Sequence, residues 1–282
     1  MPAPPSRDSI SGSGATPSNA QARAGFGALW DYLTTLLGLT GTVADARTAL
    51  GFGNAGAPGD RNLIIDGRFR LNADGVAGTV VLAAGQYGHD MWKAGAGGCT
   101  YTFSSSGLTI SAGSLVQIID GNDIEGGSYC ASWTGTAQAK LNGGAFAASG
   151  VTATGVASGA NLPIEFGTGT VNKVQVEPGT SPTANYMRSL ADEYRRGARY
   201  YQKGAFFESA YNLSGYSWSR QITFTVPMRA APTMSGTFSL AGFTAAAING
   251  SPTSSVFSFN TSSSANTGQH SVGLTWTANA RL

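Results

Sequence analysis

The stretch QITFTVPM, residues 221–228, gives the clearest indication of the fold of this chain. Its apolar side chains alternate with polar ones, which places the apolar ones on one face of an extended backbone. A period of two is typical of a half-buried β-strand. We therefore expect a mainly β fold. The same alternation recurs around Tyr101 and Phe103, Leu108 and Ile110, Phe257 and Phe259, and Val272, Leu274 and Trp276.

Turn-forming residues separate these stretches along most of the chain. The 282 residues include 40 glycines, and only 11% are charged, well below the roughly 25% of an average soluble domain. Many short strands between Gly- and Ser-rich turns are typical of sandwiches and jelly rolls. We predict a jelly-roll β-sandwich at residues 62–188, opened by a strand at Asn62–Ile65, and a second sandwich-like β domain at residues 204–282.

A connecting helix is predicted at residues 189–203, between the two β domains. Ser189 is followed three residues later by Asp192, which is the spacing of a capping box. Lys203 lies late in the segment, where a positive charge suits the helix dipole. These features predict one helix over the whole segment.

The N-terminal region differs from the rest in composition. Residues 1–20 are rich in Pro, Ser and Gly, which predicts an extended arm. At residues 21–61 we predict a helical attachment segment followed by a linker. The apolar stripe of this helix either packs on the protein's own domain or forms a docking or self-association face, and we assign it to assembly. It consists of Phe26, Trp30, Leu33 and Leu37.

Composition argues against several classes of protein. The net charge of +2 gives no reason to expect nucleic-acid binding. No apolar run is long enough to span a bilayer, so we predict no membrane insertion, and we identify no signal peptide. Cys99 and Cys130 are too few for a disulfide framework. We expect buried free thiols, with a single disulfide as the alternative.

The sequence carries no recognisable catalytic motif. Its only histidines are His89 and His270, it has no G-x-S-x-G motif, and spacing singles out no pair of carboxylates. We therefore predict no catalytic residue. For His89 we predict a surface or edge role. The stretch Asp120–Glu125 forms either a polar turn or a calcium site. We predict the turn, no metal and no other cofactor.

Aromatic side chains in loop-like stretches are candidates for sugar binding, because pyranose rings have apolar C–H faces and polar rims. Tyr211, Tyr216 and Trp218 lie in YNLSGYSWS, residues 211–219. Trp133, in the first domain, is the fourth candidate. For the three rings at 211–219 the alternative is that they pack in a trimer interface.

Several longer stretches resemble proteins of tailed bacteriophages. Two are similar to N-terminal segments of phage tail and fibre proteins: PSNAQARAGFGALWDYLTTLLG (17–38) and ADARTALG (44–51). Three others are similar to the start and the end of a jelly-roll module of phage tail fibres that itself resembles carbohydrate-binding domains: NLIIDGRF (62–69), YGHDMWKA (87–94) and KVQVEPGTSPTANYMRSLADEYRRGARYYQKG (173–204). The stretch FTVPMRAAPTM (224–234) resembles the β segment that often follows this module.

One segment departs from the pattern of this module. Residues 131–160 are rich in Gly and Ala and contain few aromatic side chains. A sugar-binding platform uses aromatic rings. Whether the first domain binds sugar or is only structural therefore stays open.

The resemblance implies a non-enzymatic virion protein of a phage tail fibre, assembled in the cytoplasm of the host bacterium. It implies a homotrimer that attaches to other tail or baseplate proteins through residues 1–50 and presents its β domains to host surface polysaccharide. Two alternatives remain open. One is a purely structural tail, baseplate or head-fibre adaptor with no receptor of its own, and the other is a glycan depolymerase.

Overall fold

The computed structural model of the chain describes residues 61–282, apart from residues 105 and 265, together with Asp31. The predicted arm at 1–20, the rest of the predicted attachment segment before residue 61, and the stripe formed by Phe26, Trp30, Leu33 and Leu37 lie outside the described residues. Within the described part, no helix is both long and apolar enough to cross a membrane.

The described residues form fourteen β-strands and one α-helix, so the predicted mainly β fold with sandwich-like domains is confirmed. The helix α1 spans Leu190–Ala198 and separates eight strands from six. The first eight are β1 Thr79–Leu82, β2 Lys93–Ser104, β3 Gly107–Ile119, β4 Gly127–Thr134, β5 Ala139–Leu141, β6 Val151–Val156, β7 Leu162–Phe166 and β8 Gly169–Pro178. The last six are β9 Tyr201–Asn212, β10 Ser219–Thr223, β11 Thr233–Ala241, β12 Ala246–Ile248, β13 Val256–Thr261 and β14 Gly268–Asn279.

The first module is an antiparallel sheet of eight strands that folds over a large apolar core. Strand β3 changes partner along its length: its first part pairs with β8 and its second part with β7. Gly113 lies between these two parts of β3. It has a φ of 71°, and a Cβ atom at this position would lie 2.0 Å from the carbonyl oxygen of Gly98. Only glycine fits this close approach of two backbones.

The segment Asn62–Ile65 is not a strand, so that prediction is wrong. Side chains, rather than a neighbouring strand, provide most of the hydrogen bonds to its backbone. The amide of Gln117 accepts from the Ile65 N–H and donates to the Ile65 carbonyl, both at 2.9 Å. The Asn62 side chain accepts from the backbone N–H of Ile64 and of Val176. Burial of an apolar segment does not require a strand when side chains satisfy its backbone groups.

Asp66 continues this buried segment and organises the turn that follows. It has a φ of 55°, which a short polar side chain tolerates better than most. Its two carboxylate oxygens accept from the backbone N–H groups of Arg70 and Leu71, both at 2.7 Å. Its carbonyl accepts from the indole N–H of Trp92, which is fully buried. One carboxylate therefore fixes the path of the chain into the core.

The connecting helix begins where the sequence predicts and ends earlier. The Ser189 hydroxyl accepts from the Asp192 N–H, as an N-cap residue does. The helix ends at Ala198, and not at Lys203 as predicted. Residues 201–203 instead begin strand β9, paired with the end of β14. Pairing with a long strand outweighs the helix propensity of this segment, a common tertiary override.

The second module is a sandwich of two three-stranded antiparallel sheets, β9–β14–β11 and β10–β13–β12 in spatial order. Aromatic side chains dominate its core. The strand predicted at 221–228 ends at Thr223, although alternate residues as far as Met228 remain turned inward. Beyond Thr223 the backbone leaves the ladder, and the Thr225 N–H donates to the side chain of Gln202.

The two modules are joined by a compact cluster of polar and aromatic contacts. The guanidinium of Arg281 lies 4.0 Å from the ring centroids of both Tyr87 and Tyr201. It also donates to the carbonyl of Asp90 at 2.9 Å. Tyr87 belongs to the first module and Tyr201 to the second. Arg281 is therefore a direct bridge between them.

Replacing Arg281 by alanine should weaken this coupling. Two cation–π contacts and a partly buried hydrogen bond are lost, which should cost about 1–3 kcal/mol. We expect calorimetry of Arg281→Ala to show a lower melting temperature and separate transitions for the two modules. Arg195→Ala is the matched control, because Arg195 is exposed and its ion pair with Asp192 is worth little. Identical melting curves for the two variants would refute the bridging role.

Candidate ligand-binding surface

Trp133 is not available for ligand binding, so that prediction is wrong. Its side chain is buried, its indole N–H donates to the carbonyl of Ala137 at 2.9 Å, and its ring meets the edge of Phe166. Trp133 belongs to the core of the first module.

Trp218 is also buried, which corrects its assignment as a contact residue. Its ring packs against Phe243 and its indole N–H donates to the side chain of Asn212. The guanidinium of Arg220 lies over its outer side, 5.5 Å from the ring centroid. Trp218 therefore supports the surface turn rather than contacting a ligand.

Tyr211 and Tyr216 are exposed, by 71% and 56% respectively, so their rings are accessible to a partner. Their role in binding stays a prediction. The turn between them is well anchored, because the Ser264 hydroxyl donates to the Leu213 carbonyl and accepts from the Tyr216 N–H. The Gly215 N–H donates to the Ser264 carbonyl. An exposed ring on an anchored turn loses little entropy when it binds.

An ion pair lies beside this turn. Arg220 donates two hydrogen bonds to the carboxylate of Glu208, and these hydrogen bonds lower the pKa of Glu208. The pair bridges β9 and β10 at one open side of the sandwich. The ion pair thereby holds Arg220 over the ring of Trp218, which supports the turn that carries Tyr216.

The solvent side of the sheet β9–β14–β11 is a second accessible surface, which we call the outer face. Its residues alternate along each strand with residues that face the core, and apart from Lys203 and Gln269 they are small or aromatic. The row on β9 contains the two exposed aromatic residues of this face. The outer face comprises Lys203, Ala205, Phe207, Ser209 and Tyr211 on β9, Gln269, Ser271, Gly273, Thr275 and Thr277 on β14, and Ser235, Thr237, Ser239 and Ala241 on β11.

Phe207 is the residue of this surface that the sequence prediction missed. Its register partner on β14 is Gly273, and the Phe207 Cδ2 atom lies 3.7 Å from the position of a Cβ atom on that glycine. The side chain is nevertheless 73% exposed. In the sequence, Phe206 and Phe207 are adjacent, and only a known strand register shows which one faces the core. The even spacing between Phe207 and Tyr211, which places both on one side of an extended strand, is the sequence signal that could have identified Phe207.

A shallow depression of about 560 Å³ lies beside Phe207 on the same face. Three consecutive rows of the sheet line it: Ala205–Thr275–Thr237, Gly204–Trp276–Gly236 and Lys203–Thr277–Ser235. Hydroxyl groups thus surround a floor of small side chains. Hydroxyl groups both donate and accept hydrogen bonds, which suits a polyhydroxylated ligand.

The outer face is nearly uncharged. Among its residues in the described strands none is acidic, and the one basic residue, Lys203, pairs with Asp74 of the first module at 3.7 Å. Asp74 also accepts from the Tyr201 hydroxyl. The described residues of the outer face therefore include no cluster of charged side chains that could bind a strongly charged ligand.

The acidic stretch Asp120–Glu125 forms a turn of 3-10 helix at Gly121–Asp123. The Asp120 carboxylate caps this turn by accepting from the Asn122 N–H, and it accepts from the guanidinium of Arg229 at 2.6 Å. Burial acts to raise the pKa of Asp120, but these hydrogen bonds outweigh it and lower the pKa. The described residues hold no group of His, Cys, Asp and Glu arranged to bind a metal.

The best-buried carboxylate pair is structural. Asp66 and Glu193 are 1% and 5% exposed, and a Glu193 oxygen accepts from the Asp66 N–H at 2.8 Å. Burial raises the pKa of Asp66 to about 6. A carboxyl group with a raised pKa suits general acid catalysis. Here, however, both oxygens of Asp66 are occupied by backbone donors, so no substrate reaches them.

Both histidines are fully buried, which corrects the predicted surface or edge role of His89. Its Nδ1 lies 3.0 Å from the Tyr101 hydroxyl, and burial lowers the pKa of His89 to about 4. His270 lies in the core of the second module, with Nδ1 2.7 Å from the Gly268 carbonyl. The two cysteines are buried free thiols, as predicted.

Comparison with known proteins gives little further information. No protein-family model matches the chain, and no curated protein matches it significantly. Among solved structures it is similar to recombinant discoidin II of Dictyostelium discoideum, at 10% identity and a TM-score of 0.20, over 78% of this chain and 92% of that one. At this level the similarity supports no assignment.

Proposed function

We propose that this chain is a non-enzymatic glycan-binding protein, and that its second module contacts the glycan. The observation that carries the proposal is the outer face, where the exposed rings of Phe207 and Tyr211 stand among hydroxyl and amide side chains. Sugar rings bind by stacking their C–H faces on aromatic rings and by hydrogen bonding at their rims. The outer face supplies both kinds of contact on one rigid sheet.

The non-enzymatic part of the proposal is supported by the chemistry of the outer face. Glycosidases use two carboxyl groups on opposite sides of the bond that they cleave. None of the outer-face residues in the described strands carries a carboxyl group. Glu208, the nearest carboxylate on β9, belongs to the opposite side of the strand and is bound by Arg220. A ligand on this face therefore meets binding groups only.

We further propose that the protein is a tail-fibre component of a tailed bacteriophage, acting as a homotrimer. The ordered resemblance of its sequence segments to such proteins supports this. A trimer would present three copies of a weak sugar site. Linked weak sites bind a surface polymer with an avidity well above that of one site.

Binding to an array of bacterial surface polysaccharides tests the glycan-binding proposal. The full-length protein should bind a subset of the array, and stripping surface polysaccharide from cells that it binds should abolish binding. A folded protein that binds no array member would favour the structural adaptor. Release of reducing ends from a bound polysaccharide would favour the depolymerase.

The attachment role of the N-terminal stripe has its own test. Leu33→Glu places a charge in the predicted apolar face, and we expect it to abolish incorporation into phage particles. The circular dichroism spectrum and melting of the β modules should not change. Incorporation at the wild-type level would refute the assembly role of the stripe.

A further inference from the structure

We infer that the ligand of the outer face is an extended, uncharged polysaccharide whose chain runs along β9 and contacts Phe207 and Tyr211 with different sugar units. This inference rests on the proposed glycan binding and adds the class and orientation of the ligand. The spacing of the rings, the shape of the face and its charge support it.

The spacing of the two rings exceeds the size of one sugar. Phe207 and Tyr211 are four residues apart on the same side of β9, which separates them by about 13 Å along the strand. One pyranose ring cannot stack on both. Only a ligand with several sugar units in a row contacts both rings at once.

The shape of the face favours internal segments of a chain over a chain end. The Cδ2 atom of Phe207 lies 3.7 Å from the position of a Cβ atom on Gly273, so no side chain of that residue stands beside the ring. The next row on either side holds small residues, Ala205 with Thr275 and Ser209 with Ser271. The surface is therefore open on both sides of Phe207 along the strand, whereas a site for a terminal sugar is closed on one side.

Polar groups between the rings are held in place for contact with the chain. The Gln269 amide donates to the Ser209 hydroxyl at 2.6 Å, and Ser209 donates to the His270 carbonyl. Gln269 is also the register partner of Tyr211, so its amide lies beside that ring. A preorganised amide and hydroxyl next to a stacking ring match the rim of a sugar bound there.

The charge of the face selects a neutral polymer. A polyanionic glycan is usually held by several basic side chains. The outer face has only Lys203, which lies at the far end of β9 from Tyr211 and pairs with Asp74. Uronic acids, sialic acids or phosphodiesters would find no further partner among the outer-face residues described here.

The test measures binding of the full-length protein to the polysaccharide array, divided into neutral and acidic polymers. Polymers that bind are then partly hydrolysed to oligosaccharides of graded length, and the affinity for each length is measured. We expect neutral polymers to bind. Affinity should rise from the disaccharide to the longer oligosaccharides and then level off. In Phe207→Ala this rise should disappear, so that long and short oligosaccharides bind equally weakly.

The outcomes separate this inference from the function on which it rests. Binding that is already maximal with a disaccharide, binding of acidic polymers only, or a length dependence unchanged in Phe207→Ala would overturn the inference and leave glycan binding intact. Binding of no glycan would overturn both. A change of oligomeric state in Phe207→Ala, measured by light scattering, would make this face an interface between copies and would also overturn the inference.

Discussion

Asp66→Ala should reduce the free energy of unfolding by about 3–5 kcal/mol, because it leaves one partly buried and one buried N–H group without acceptors. These are the backbone groups of Arg70 and Leu71, which the carboxylate binds at 2.7 Å. Alanine also tolerates the φ of 55° at this position poorly. Such a loss is a large part of the stability of a typical domain. Urea unfolding followed by tryptophan fluorescence measures it.

Glu125→Ala is the control for this variant. Glu125 is an exposed acidic residue of the same module, and its loss should change stability by no more than about 0.5 kcal/mol. Equal unfolding midpoints for Asp66→Ala and Glu125→Ala would contradict the role assigned to Asp66.

The same carboxyl group makes stability depend on pH. Its folded-state pKa of about 6 lies above the ordinary value of 3.8, mainly because of burial. Its contribution to stability is therefore fully present below about pH 4 and is lost as the pH rises through 6, by up to about 3 kcal/mol. Asp66→Asn, which keeps an acceptor oxygen but does not titrate, should flatten this part of the stability profile.

Phe207→Ala should weaken glycan binding about 5- to 30-fold, which corresponds to about 1–2 kcal/mol of lost stacking. Tyr211→Ala should have an effect of similar size. The two rings lie too far apart to couple, so the double variant should lose the product of the two factors. Because both side chains are mostly exposed, the fold should be retained. Isothermal titration with a bound oligosaccharide gives the affinities.

Tyr194→Ala is the matched control for both ring deletions. Tyr194 is 57% exposed, like the ring residues of the outer face, but it lies on α1. Its replacement should leave affinity unchanged. If Tyr194→Ala weakens binding as much as Phe207→Ala does, the ligand lies elsewhere on the protein.

Periodicity predicted the strands well where one face is buried. The alternation around Phe257 and around Leu274 corresponds to β13 and β14, whose registers are fixed by the core. Periodicity failed for Asn62–Ile65 because this apolar segment is buried without strand pairing. The backbone N–H of Ile65 donates instead to the side-chain amide of Gln117, more than fifty residues away in the chain. A contact at that separation leaves no local signal.

The binding surface was only partly predictable. An aromatic residue in a polar stretch is expected to be exposed, which holds for Tyr211 and Tyr216 but not for Trp218. The packing of Phe243 over Trp218 brings together residues from separate strand connections. Phe207 became a candidate only through its register with Gly273 on β14. Tertiary pairing decides which of two adjacent phenylalanines is exposed.

The most direct test of the proposed function is size-exclusion chromatography of the full-length protein mixed with a fluorescently labelled neutral surface polysaccharide that binds on the array. We predict that protein and polymer elute together and that the polymer keeps its length after prolonged incubation. With Phe207→Ala/Tyr211→Ala they should elute separately. Shortening of the polymer, or co-elution undiminished in the double variant, would contradict a non-enzymatic glycan-binding site on the outer face.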